Sequence, residues 1–126
     1  MLTLSPAVHI YMADGSVDMR NGIDGLAGIV RNQWQLDIFS GHLFIFLSKR
    51  RDRIKVLYFE RGGFVMWQKR LEEGQFARPA QVSEGGVLEL DATDLSMMLE
   101  GIDIKKVKRP KRWAPTRSPP ATKIAA

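Results

Sequence analysis

The chain has no cysteine in its 126 residues. That excludes a disulfide framework, a thiolate metal site and a cysteine nucleophile. It has only two histidines, His9 and His42. Two are too few for a histidine metal cluster, and each sits in a strand-like run where a packed or sheet-surface role is expected. No long apolar run is present, and the opening MLTLSPAVHIYMADG lacks the basic flank of a signal peptide. A cytoplasmic protein without a membrane span is therefore expected. No serine lies in a nucleophile elbow, and no glycine-rich loop ends in Gly-Lys-Ser/Thr. Nothing repeats along the chain.

What is present is charge, unevenly placed. Residues Ile104 to Ala126 hold eight Lys or Arg and no Asp or Glu, while the first 103 residues hold eleven basic and fourteen acidic side chains. The body is thus −3 and the tail +8. The tail also contains Trp113 and four prolines. Such asymmetry points to a polyanion, most plausibly nucleic acid, and away from a small-molecule enzyme. The pattern divides the chain into a single globular domain, 1–104, and a flexible, disordered basic tail, 105–126.

Within the body the hydrophobic pattern predicts α+β architecture. Val8 to Met12 reads as a first strand. Ile23, Leu26, Ala27 and Val30 recur at one face of a helix, with Asp18 or Asn21 available to cap it. Gly22, Gly25 and Gly28 share a three-residue spacing, which predicts close packing of that helix face on a sheet. His42–Leu47, Ile54–Phe59 and Phe64–Lys69 form a three-stranded antiparallel meander, with Arg61-Gly62-Gly63 as a tight turn. Val87–Leu90 is a last short strand. Asp91 caps a short helix, Ala92–Glu100, and Gly101 ends it. The expected fold is a small, mostly antiparallel sheet with one longer and one short helix packed on one side.

The candidate chemistry is weighed on the same residues. Asp14, Asp18 and Asp24 are the acidic group that a Mg²⁺-dependent nuclease would need, but loops before helices attract Asp for capping. Lys49, Arg50, Arg51 and Arg53 occupy one hairpin tip, and Lys55, Lys69 and Arg70 lie on the strands beyond it. Such a tip can track a phosphate backbone or stay a solvated turn. Tyr58, Phe64 and Trp67 are available for base stacking, although strand aromatics more often pair across strands. In the tail, Lys105, Lys106, Lys108, Arg109, Lys111, Arg112 and Trp113 can neutralise phosphates without base-specific geometry.

Several ordered motifs carry a resemblance. They are Asp18-Met19-Arg20-x-Gly22-Ile23-Asp24-Gly25-Leu26, then Phe39-Ser40-Gly41-His42-Leu43-Phe44-x-Phe46. Asp52-Arg53-x-Lys55-x-Leu57-Tyr58, Gly63-Phe64 and Lys69-Arg70-Leu71-Glu72-x-Gly74-x-Phe76 follow, and Leu99-Glu100-Gly101-Ile102-Asp103 closes the body. Over residues 5 to 113 the chain resembles the TnpB-type accessory protein, the second open reading frame product, of the IS66 family of bacterial insertion sequences. Ser48, Phe59 and Gln68 depart from that family's pattern, which weakens base stacking along this stretch. The resemblance implies a non-catalytic factor, without cofactor or metal, that assists a separate transposase, and the basic hairpin and tail make DNA its expected ligand. A protein-interaction module that recruits the transposase without touching DNA is the alternative. Asp18, Arg20, Gly22 and Gly25 are the expected structural or interaction positions, Asp18 and Arg20 either carrying function or pairing with the Lys69-Arg70 region or its neighbours to fix the fold.

Overall fold

The computed structural model describes residues 7–79 and 85–100. The tail 105–126, its seven candidate contact residues and Gly101 lie outside them. Five strands form one sheet in the order β4-β3-β2-β1-β5. They are β1 (Ile10–Ala13), β2 (Leu43–Leu47), β3 (Arg53–Glu60), β4 (Gly63–Arg70) and β5 (Val87–Leu90). β1 and β2 run parallel, and every other neighbouring pair is antiparallel. The mostly antiparallel α+β class and the β2-β3-β4 meander follow the expectation from sequence.

Two helical elements cover the sheet. α1 (Ile23–Gly28) runs on into a π-helical segment, Ile29–Gln33, and α2 spans Ala92–Glu100. The helices do not share one side. Leu95 and Met98 of α2 pack on Ile10, Met12, Ile45, Leu47, Ile54 and Val56. Leu26, Ala27 and Val30 pack with Phe44, Phe46 and Leu57. Because side chains alternate along a strand, these are the two opposite faces of the sheet. The physical reason lies in β2, whose five residues are all buried. A central strand that is apolar on both faces needs cover on both. A parallel β1–β2 pair also requires a crossover segment between the strands, and α1 lies in it.

Two further expectations about α1 are corrected. Its N-cap is Gly22, with no side-chain cap bond. Asp18 is instead occupied by Arg20, and Asn21 donates its side-chain amide to the Asp18 carbonyl. The three glycines do not pack on the sheet. A Cβ at Gly22 would meet nothing, and one at Gly28 only the tip of Asn32 at 3.9 Å. At Gly25 the obstacle is the Asn21 side chain, 2.3 Å away. The buried stripe of this helix is Leu26 and Ala27. By contrast α2 starts as expected, the Asp91 carboxylate accepting the Asp94 N–H at 2.7 Å.

Candidate nucleic-acid interface

The β2–β3 connection is a tight turn built by Ser48. Arg51 N–H donates to the Ser48 carbonyl at 2.9 Å, and Ser48 N–H donates to the Arg53 carbonyl at 3.0 Å. The buried Ser48 hydroxyl accepts the Arg53 N–H at 3.1 Å and donates to the Asp52 carboxylate at 3.1 Å. The resemblance leads one to expect a basic or amide residue there; a basic one would have to bury a charge, which the serine avoids. Arg51 closes the turn with φ at +60°. That left-handed conformation costs roughly 1–2 kcal/mol in a residue with a Cβ. It is held by the segment after β4: Phe76 N–H donates to the Arg51 carbonyl, Leu71 N–H to that of Asp52, and the Gln75 side chain to that of Arg50. Phe76 itself is fully buried.

The turn's carbonyls are therefore tied down while its cations point out. Lys49, Arg50 and Arg53 are exposed and make no ion pair among the described residues. Arg51 is half-buried and reaches Gln75 at 3.3 Å. Arg53 stands directly opposite Arg70 across β3–β4. Like charges in that position repel, and Glu72 relieves the pair by holding Arg70 at 2.8 Å. Exposed cations without a countercharge are groups that can contact phosphates.

Two candidate contacts are occupied inside the protein. Lys55 is only 6% exposed. Its Nζ donates to the Met19 carbonyl at 2.9 Å and the Asn21 carbonyl at 2.8 Å. It thus pins the Asp18–Asn21 loop onto the sheet. Lys69 Nζ donates to the Leu99 carbonyl at 2.9 Å, near the C-terminus of α2, where a cation complements unpaired carbonyls. Charge at these positions does structural work that composition alone does not reveal.

Asp18 and Arg20 do not reach Lys69 or Arg70. They pair with each other at 2.6 Å, with Arg20 N–H and Nε also donating to the Asp18 carboxylate. The Arg20 hydrogen bonds hold the Asp18 carboxyl down at about 2, and the same pairing raises Arg20. Asp14 is paired with Arg78. Both aspartates line an open groove of about 480 Å³ with Trp34, Ile29 and Gln33. Among the described residues no group of three or more His, Cys, Asp or Glu is placed to hold a metal ion. His9 accepts nothing beyond a local role: its ring contacts Glu89 at 2.6 Å, and its N–H donates to His42 Nδ1.

The proposed stacking platform is split. Tyr58 and Trp67 pack on the α2 side of the sheet, and Phe64 packs on the α1 side. Phe64 instead belongs to an aromatic group at the other end of the β3–β4 hairpin. Phe39, Phe59 and Phe64 form a trio with ring centroids 5.1 to 5.7 Å apart, and Phe39 is 57% exposed. Phe39 lies in a turn, so no periodicity marks it.

The described residues thus form a small α+β sheet covered on both faces, with a braced basic hairpin at one end. The comparison with known families is specific: the family model described as IS66 Orf2 like protein matches residues 8–109. The chain belongs to that family, whose members are transposition-associated accessory proteins. Two uncharacterized proteins of Sinorhizobium fredii (strain NBRC 101917 / NGR234), y4jC and y4hO, are each 32% identical over 117 residues, covering 93% of this chain and 98% of the relative. No solved structure matches at a significant level. Among the described residues no helix is long and apolar enough to cross a membrane.

Proposed function

We propose that this protein is a non-catalytic accessory factor of DNA transposition, working in the cytoplasm, that binds DNA and assists the separate transposase of its element. The observation that carries the reading is the β2–β3 turn, where Lys49, Arg50 and Arg53 are exposed and make no ion pair among the described residues, on a backbone braced by residues 71–76. The basic tail, Lys105 to Trp113, adds charge that can follow a phosphate backbone. Lys55 and Lys69 contribute by holding the loop and helix in place rather than by contacting DNA.

The test is a salt series of duplex affinity for the full chain and for Lys49→Gln/Arg50→Gln/Arg53→Gln. Each phosphate contact contributes about −0.9 to the slope of log K against log salt. The triple variant is expected to flatten the slope by about 2.7 if all three engage. Replacing the tail cations by glutamine in the full chain is expected to remove a further −4 to −5 or so, for about five engaged charges. Salt-insensitive or absent binding by the unaltered protein refutes the DNA reading. A second reading, a protein-interaction module that recruits the transposase, draws on the Phe39-Phe59-Phe64 trio, in which Phe39 is exposed and the other two are half-buried. It predicts a complex with the transposase that survives nuclease and high salt.

A further inference from the structure

The two outer strands of the sheet are built differently. β5 is four residues long and carries the charged Glu89. β4 is eight residues long and contains the unbroken apolar run Phe64-Val65-Met66-Trp67. Edge strands are normally blunted by shortness, proline, a bulge or an inward charge. β4 has no proline, and its pairing with β3 runs from Gly63 to Arg70 without a bulge. Its one lysine is drawn away to the α2 carbonyl.

The register shows which backbone groups of β4 are free. Arg61 and Gly62 form a two-residue turn with φ of +50° and +84°. In such a hairpin Glu60 and Gly63 exchange hydrogen bonds, and so does every second pair beyond them: Tyr58 with Val65, Val56 with Trp67, Ile54 with Lys69. The Leu71 N–H bond to the Asp52 carbonyl continues that alternation. The N–H and C=O groups of Phe64, Met66, Gln68 and Arg70 therefore point away from β3. Among the described residues no strand pairs with that edge.

We propose that a second copy of this chain occupies it, β4 pairing antiparallel with β4 about a twofold axis at Met66 to give one continuous sheet. Twofold symmetry requires each strand to match its own reverse, and directly opposed residues must share a face. Centred on Met66, Phe64 faces Gln68 of the second copy, and Lys69 faces Gly63. No like charges are opposed. Phe64 and Met66 of both copies join into one apolar stripe, continuous with Phe39 and Phe59. Centring on Trp67 sets Phe64 against Arg70 and breaks the stripe. Centring on Val65 shortens the overlap to residues 63–67. The pairing satisfies the free edge groups and covers half-exposed apolar side chains in one step.

The arrangement has a consequence for the DNA reading, on which this one point rests. Arg70, and Arg53 opposite it, lie four residues from the axis, about 14 Å at about 3.4 Å per residue. The two basic ends are then about 27 Å apart along the strands, and the Lys49–Arg50 tips reach further. That approaches the roughly 34 Å repeat at which dimeric proteins contact successive turns of one duplex face.

The experiment is equilibrium sedimentation of the full-length protein over a concentration series, with three variants. A dimer is expected for the unaltered chain. The chain has no cysteine, so Met66→Cys introduces one thiol. Opposed Cα atoms about 5.5 Å apart lie within the roughly 4.4–6.8 Å that a disulfide spans. Oxidised Met66→Cys is expected to cross-link to a dimer, and Ser96→Cys, exposed on α2, is not. Met66→Pro removes an N–H that β3 does not use, and proline is tolerated at such edge positions. Met66→Lys opposes two ammonium groups at the axis. Both are expected to be monomers; if the proline variant fails to fold, the lysine variant decides. A monomer at every concentration, cross-linking of Met66→Cys no faster than Ser96→Cys, or a dimer that persists in a folded Met66 variant overturns the pairing. A protected Met66 amide in a monomer also overturns it, by showing the chain's own cover. A monomer that binds DNA refutes the pairing alone, and a dimer without DNA affinity refutes the DNA reading alone.

Discussion

Replacing Lys55 by methionine separates a structural cation from a ligand-binding one. The side chain is almost fully buried, and its ammonium group is held at 2.9 and 2.8 Å by the carbonyls of Met19 and Asn21. Hydrogen bonds involving a charged group contribute roughly 1.5–3 kcal/mol each. Burying the ammonium offsets part of this, so Lys55→Met should cost about 2–4 kcal/mol, a large share of a typical stability of about 5–15. In a domain of this size that is a fall of roughly 10 °C or more in Tm. Methionine keeps the packing volume but leaves both carbonyls unpaired, so the Asp18–Asn21 loop should exchange its amides faster. Urea unfolding supplies the free energy, and the salt series supplies the control. Lys55→Met should leave the slope of log K unchanged, whereas Arg53→Gln should flatten it by about 0.9 with stability nearly intact. A Lys55→Met protein as stable as the original, with a flattened salt slope, would refute the reasoning.

Two other outcomes follow from the same geometry. Asp18 is lowered to about 2 by Arg20, below an unfolded value of about 3.9. Its contribution to stability is therefore present above the unfolded value and is lost as pH falls through about 2. A carboxyl titration followed by NMR should place the Asp18 midpoint near the folded value, and Arg20→Gln should move it back toward about 4. Phe76→Ala should destabilise by about 3–5 kcal/mol, because the ring is fully buried. In the same variant, Arg51 should show loosened backbone dynamics, since Phe76 N–H anchors its carbonyl. A rigid Arg51 in a destabilised protein would mean the turn holds itself.

Local chemistry made much of this protein legible in advance. β5 and α2 lie where the short strand Val87–Leu90 and the Asp91 cap are expected from sequence. The β2-β3-β4 meander follows from dense apolar strands broken by turn residues, and Gly62 takes the left-handed conformation that its turn needs. The basic hairpin was visible because four cations within five residues of a turn have few places to go but outward. The family motifs were legible for the same reason, since they are strings of adjacent residues.

What sequence left open depends on contacts between distant positions. The parallel pairing of β1 with β2, and with it the placement of α1 and α2 on opposite faces, is set by packing across the sheet. The glycine spacing in α1 looked like a packing face because periodicity does not say which side of a helix meets the sheet. The roles of Lys55 and Lys69 were hidden because a lysine reads the same whether its ammonium meets solvent or carbonyls 30 or more positions away. Composition and short-range pattern determined the strands, the turns, the charge asymmetry and the family. Only the tertiary structure decided which of the described cations are committed to the fold and which stay exposed, because desolvation and hydrogen bonding are fixed by neighbours in space.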